Sequence, residues 1–328
     1  MISPLGGMQI FIYQWIHPSS LYAQSILRQN RLSQIIHILV TLVLIVKGLF
    51  GLFIIFYESD YSNNIIAKIE TIWSAFIYIM YGITSAYYLV DRSLFIEFLK
   101  SYTEIIDHDK TFASEFTTKQ FTKIKLFVLY CFCYETSYEI VKCDLRYIPE
   151  ALVSPDNYLV KYSLITIILF FYKFGILSQF HFILEICFHL EAVFAVHKRC
   201  LNTLSFDYLD LRKDIPEQKI RLSRFIYSKI IKTCKIIDKF LFLSLLTFYI
   251  FFVGLDLFAI RGYFVKPRPS LVFTIFKFFG ETNYLILITY HLIKVNQLSN
   301  KLFNKVYELS FDNKSFGFVN EVRNSLCL

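Results

Sequence analysis

Six long apolar stretches, rich in Phe, Tyr, Ile and Leu, punctuate this chain, and each reaches or nears the roughly 20 residues that a helix needs to cross a ~30 Å hydrocarbon core. Lipid offers no hydrogen bonds to an open backbone, so a chain built this way must satisfy its amides within helices. The expected fold class is therefore all-α: a polytopic helical membrane protein with six spans. They are placed at about 36–57, 66–90, 124–142, 160–190, 240–261 and 271–294.

The remaining composition agrees with that class. Hydrophobic residues make up 55% of 328 positions and aromatics 19%, too apolar for a soluble domain of this size. A net charge of +8 could suggest nucleic acid, but its distribution follows the membrane topology instead. Roughly 24 Lys and Arg fall in the N-terminal segment, in 91–125, in 197–239 and in the tail, against about seven in the intervening loops. Both termini are thus expected in the cytoplasm, with 1–35 as an N-terminal segment and 295–328 as a tail. That orientation is opposite to a G-protein-coupled receptor, whose Asp-Arg-Tyr and Asn-Pro-x-x-Tyr elements have no counterpart here. The opening MISPLGGMQIFIYQWIHP lacks the basic start of a cleaved signal peptide. The seven cysteines show no paired metal spacing.

The cytoplasmic segment 197–239 is amphipathic. Ile220, Leu222, Phe225, Ile226, Ile230, Ile231, Cys234 and Ile237 recur at helical spacing among Lys and Arg. Two readings stand: a juxtamembrane helix resting on headgroups, or an extension of the fourth and fifth helices that packs as an assembly domain. The second is preferred, because the apolar positions form one continuous stripe.

Ionisable residues inside spans cost roughly 2.5–3.5 kcal/mol each at a helix centre, so they usually face a bundle interior or a wet cavity. With the topology above, Glu135 and Glu139 fall in the outer half of span three, one turn apart. Asp256 lies near the outer end of span five, and Lys277 and Glu281 lie in the outer half of span six. Lys173 sits near mid-membrane in span four. Tyr138, Tyr249 and Tyr284 crowd the same level, and carboxylates among aromatic faces suit a small polar or cationic organic ligand. Internal ion pairing, such as Lys277 with Glu281, competes with that reading, as does lipid contact for the aromatics.

Other features carry less. His181, Glu185 and His189 recur every four residues and could in principle hold a metal, but a polar stripe on a protruding helix is ordinary, so no metal or cofactor is assigned. Lys47 in span one either snorkels or pairs. Asn313-Lys314-Ser315 is a sequon placed on the cytoplasmic side. No phosphate loop, nucleophile triad or HExxH element supports an enzyme.

Three stretches carry a family resemblance. Arg199, Leu201, Asn202 and Leu204 in AVHKRCLNTLSF match an Arg-x-Leu-Asn-x-x-Leu turn, followed by an amphipathic helix running straight into the fifth span. KLFNKVYELSF and FVNEVRNSLCL then follow the sixth. In this order the chain resembles the insect gustatory receptors. The resemblance implies a taste receptor in the plasma membrane of a sensory neuron. It also implies a ligand-gated, non-selective cation channel that assembles as a homo- or hetero-tetramer, with the matched turn in the assembly region. The family's seventh span, which lines the pore and ends in Thr-Tyr, five apolar residues, Gln and an aromatic, has no equivalent. Thr289 and Tyr290 lie in the sixth span, with Asn296 and Gln297 at the Gln and aromatic positions. The chain is accordingly expected to be a fragment or a truncated gene product. The alternative is a pore-less regulatory subunit or a transporter-like protein, although the paired broken helices of transporters are missing. The ligand class (sugar, bitter compound, carbon dioxide or pheromone) is left open by the sequence.

Overall fold

In the computed structural model the described residues are 20–28, 30–57, 65–107, 109–142, 158–211, 217–265 and 271–311, with side chains described at 20–28, 30–53, 55, 68–107, 109–124, 127, 130, 133, 163, 166–203, 220–254 and 282–308. Among them there are eight helices and no strand. They are α1 (Leu21–Ile26), α2 (Arg31–Tyr57), α3 (Ile65–Val90), α4 (Arg92–Ile106), α5 (Lys110–Lys142), α6 (Tyr158–Leu211), α7 (Glu217–Val265) and α8 (Leu271–Phe311).

Among the described residues three helices, α2, α6 and α7, contain stretches long and apolar enough to cross a membrane: Arg31–Phe53, Thr166–Thr203 and Ile220–Gly254. The outward face of α2 shows why a bilayer suits it. Leu32, Ile35, Leu39, Leu42, Val46, Leu49 and Phe53 follow one another at helical spacing and are all exposed. A water-facing surface rarely tolerates so long an apolar stripe.

The stretch 91–125, read from the sequence as a loop, is helical in α4 and in the first turns of α5. Its charges masked a clear period: Phe95, Phe98, Leu99, Tyr102, Ile105 and Ile106 all face inward. The segment 197–239, read from the sequence as extending the fourth and fifth helices, is mostly the end of α6 and the start of α7, with 212–216 outside the described residues. At 54, 49 and 41 residues, α6, α7 and α8 measure roughly 80, 74 and 62 Å at 1.5 Å per residue. Each is at least twice the depth of a hydrocarbon core.

α6 is the hub, packed against α1, α2, α4, α5, α7 and α8. From residue 182 to 194 nearly every side chain of α6 is buried, as expected of a helix surrounded on all sides. Between lipid-immersed helices the driving force comes from close packing and interhelical hydrogen bonds. Both are present here. A Cβ added at Gly48 would lie 2.7 Å from the Ala75 carbonyl oxygen and 3.0 Å from the Ile79 nitrogen, so only glycine lets α2 and α3 approach this closely. Hydroxyls then bridge the helices: Thr41 to Ser85 at 2.6 Å, Thr84 to Thr247 at 3.2 Å, and Tyr88 to Ser244.

Candidate functional site

The interior of the bundle is a run of aromatic rings around Phe180 of α6. Phe248 and Phe252 of α7 lie 5.0 and 5.7 Å away between centroids, and Tyr284 of α8 lies 5.4 Å away. Tyr284 is fully buried and also meets Phe127 of α5 at 5.4 Å. Tyr249 packs on its neighbour Phe248 and hydrogen-bonds Thr289 of α8 at 3.2 Å. Lys173 is buried on α6 seven residues before Phe180, so the two share a face about 10 Å apart. Of the residues proposed from sequence for a ligand pocket, Tyr249 and Tyr284 therefore lie along the α6–α7–α8 seam, whereas Lys173 stands beside the Tyr172 ring, which meets Lys47 of α2 and Tyr78 of α3. The side chains of Glu135, Tyr138, Glu139, Asp256, Lys277 and Glu281 lie outside the described residues.

A second cation, Lys47 of α2, meets α6 from the α2–α3 side. The Lys47 ammonium stands 3.2 Å from the Tyr172 ring centroid and 4.7 Å from that of Tyr78, and Lys173 is 5.9 Å from the same Tyr172 ring. Aromatic faces stabilise desolvated ammonium groups by about 2 kcal/mol. For Lys47 the sequence left a choice between snorkelling and pairing; the ammonium is seated on two rings.

Polar residues on α6 divide among separate neighbours. Glu185 accepts from the backbone amide of Ser20 at 3.1 Å and from its hydroxyl. Ser20 is also the N-cap of α1, where its oxygen accepts from the Ala23 amide at 3.2 Å. His189 meets the Tyr102 ring at 4.9 Å, and His181 approaches Phe121 at 6.1 Å. His181 and His189 both approach Phe121 of α5 whereas Glu185 is taken by Ser20, and no group of three metal-ligating side chains occurs among the described residues.

α1 is thereby docked inside the bundle. Tyr22, fully buried, donates to the Gly175 carbonyl at 3.2 Å and accepts from Ser85 at 3.3 Å. Its ring meets His37 edge-on at 4.5 Å. His37 bridges Ser25 of α1 at 2.9 Å and the Ser85 carbonyl at 3.0 Å. Gln179 donates to the Tyr81 carbonyl at 2.8 Å. None of this was marked in the sequence, because each partner lies far along the chain and Ser20 and Tyr22 look like an ordinary polar leader. Ser20→Ala removes the cap and one charge-assisted donor together. It is expected to cost about 1–2 kcal/mol, seen as faster proteolytic release of residues before α1 with the remaining bundle intact.

At the other end of α6 the residues of the matched turn bind their own chain. Arg199 pairs with Asp109 at 3.2 Å and lies over the Phe112 ring at 5.0 Å. Leu201 is fully buried, and Asn202 accepts from Lys305 of α8 at 2.5 Å. The Leu204 side chain lies outside the described residues. The apolar stripe of α7 is also largely covered from within: Ile220, Ile226, Ile230 and Ile237 are buried, whereas Leu222 and Phe225 are exposed. Between these levels Glu191, wholly buried, takes His291 at 2.5 Å and Lys294 at 2.6 Å, binding α6 to α8. A lone Glu in an apolar run was the available signal, but its partners are on another helix. Compared with known proteins, the chain matches no family model, no curated protein and no solved structure.

Proposed function

We propose that this chain is a chemosensory receptor subunit of the insect gustatory type, set in the plasma membrane of a sensory cell with six spans and a cytoplasmic N-terminus. One observation carries the reading. α6, α7 and α8 are each at least twice a hydrocarbon core in length; Tyr284 and Thr289 of α8 meet Phe180 of α6 and Tyr249 of α7 along one seam, and beyond them Arg199 and Asn202 tie α6 to α5 and α8. A tastant held at the Phe180 cluster would touch three helices at once. Any difference in its affinity for two arrangements of those helices then shifts their populations. Coupled to a cation pathway in a homo- or hetero-tetramer, that shift is a ligand-gated current.

Calcium imaging of cells expressing the chain with related receptor subunits, challenged with sugars, bitter alkaloids and organic acids, tests this directly. An evoked response should lose sensitivity about tenfold or more in Tyr284→Ala and Lys173→Met, at unchanged surface expression. A response identical in both variants removes the pocket. An N-terminal epitope labelled on intact cells removes the topology and the receptor type together.

A further inference from the structure

The outward face of α7 changes character along its length. Phe242, Leu246 and Val253 are exposed and apolar. Immediately before them come Lys232, Lys235 and Lys239, all exposed and spaced by three and four residues. The opposite face is buried in the chain itself: Ile230, Thr233, Ile236, Ile237 and Phe240, with Phe240 stacked on Phe95 of α4 at 5.6 Å. Hence the lysines point away from the bundle on the same side as the apolar stripe. Asp238 is the one exposed acid among residues 221–239 of α7, and Lys229, half-buried, is taken by Glu104 of α4.

We infer that this face is a docking surface for the anionic headgroups of the cytoplasmic leaflet, with Lys232, Lys235 and Lys239 as the contacting cations. The apolar stripe sets the depth: if Phe242 to Val253 lie in hydrocarbon, the lysines begin one turn below Phe242, at the headgroup layer. Lys232 to Lys239 spans about 10 Å of helix, within reach of flexible ammonium side chains across that layer. Each basic residue near an anionic surface adds about 1 kcal/mol, so three acting together confer a real preference over zwitterionic lipid. Phe225, exposed, lies deeper in the cytoplasm seven residues before Lys232 and so on the same face, which makes a second copy of the chain the rival occupant. The lysine band favours lipid, because three like charges on one face repel a copy of the same chain. The inference rests on α7 spanning the membrane and not on any tastant or current.

The test is thermal unfolding of the purified full chain in neutral detergent, titrated with dioctanoyl phosphatidylserine, dioctanoyl phosphatidylcholine or inorganic phosphate. Only phosphatidylserine is expected to raise the midpoint. Lys232→Gln/Lys235→Gln/Lys239→Gln should need on the order of 100-fold more of it, whereas the triple arginine variant should behave as the parent. Exposed lysines well below that layer (Lys198→Gln/Lys301→Gln), beside the level of Tyr227, should leave the titration unchanged. Equal stabilisation by phosphatidylcholine or by phosphate overturns the inference, as does a response that the arginine variant loses or the Lys198 set abolishes. A dimer that phosphatidylserine leaves unchanged and the glutamine variant dissolves would assign the face to a second copy. Loss of lipid selectivity would leave tastant responses untouched, and silent calcium imaging would leave the lipid titration untouched.

Discussion

Stripping Glu191 of both its bases, in a Lys294→Met/His291→Phe protein, is expected to cost about 3–5 kcal/mol, the usual penalty for orphaning one member of a buried ion pair. Glu191 is wholly buried, and its two oxygens are divided between His291 at 2.5 Å and Lys294 at 2.6 Å. Lys294→Met alone should lie near the lower end, since His291 remains beside the carboxylate. Adding Glu191→Gln to the double variant should recover much of the loss, because a neutral amide is far less costly to bury than a carboxylate. Removing the acid alone should be milder: Lys294 is about 30% exposed and can turn toward solvent. Fluorescence-detected size exclusion after heating reads all four proteins. If the double variant and its glutamine rescue melt together, the triad is not holding α6 against α8.

The second large effect is steric. Gly48→Val is expected to destabilise the α2–α3 pair by about 3 kcal/mol, the upper range for forced overpacking. A Cβ there meets the Ala75 carbonyl oxygen and the Ile79 amide, which are backbone atoms that cannot swing aside. Gly51, one turn on, is the internal control. Its Cβ would stand 3.2 Å from the Ala75 methyl, so Gly51→Ala should cost no more than about 1 kcal/mol. Equal melting of Gly48→Val and Gly51→Ala would show that α2 and α3 are not in intimate contact in the membrane.

The contrast between what could and could not be read from the chain follows from the range of each interaction. α2 and α3 were legible because a long apolar run defines a helix without reference to anything else. α4 was passed over as a basic loop: Arg92, Glu97, Lys100 and Glu104 interrupt its apolar residues, while the period of Phe95, Phe98, Leu99 and Tyr102 shows only when the helical face is drawn. The polar residues were harder. Glu185 was visible as one of three four-spaced groups on a helix, yet its partner Ser20 is 165 residues away and belongs to a six-residue helix with no periodic signal. Lys173, Tyr249 and Tyr284 could be placed near one level by counting residues from span ends. That Tyr249 and Tyr284 join the Phe180 ring cluster while Lys173 stands beside Tyr172 depends on the rotation of α6, α7 and α8 about their axes, which hydropathy does not encode.

The docking of α1 imposes an order in time. Its anchor, Glu185, follows Ser20 by 165 residues, and at roughly 5–20 residues per second of synthesis that interval is on the order of 10–30 s. Between the synthesis of Ser85 and that of Gly175, Tyr22, His37 and Ser85 have been made but the α6 groups that complete their network, Gly175 and Gln179, have not. The earliest segment of the nascent chain therefore waits for one of its later ones before its buried hydrogen bonds can be completed. Errors introduced in α6 would then surface first as an N-terminus exposed to quality-control proteases, far in sequence from the residue that changed.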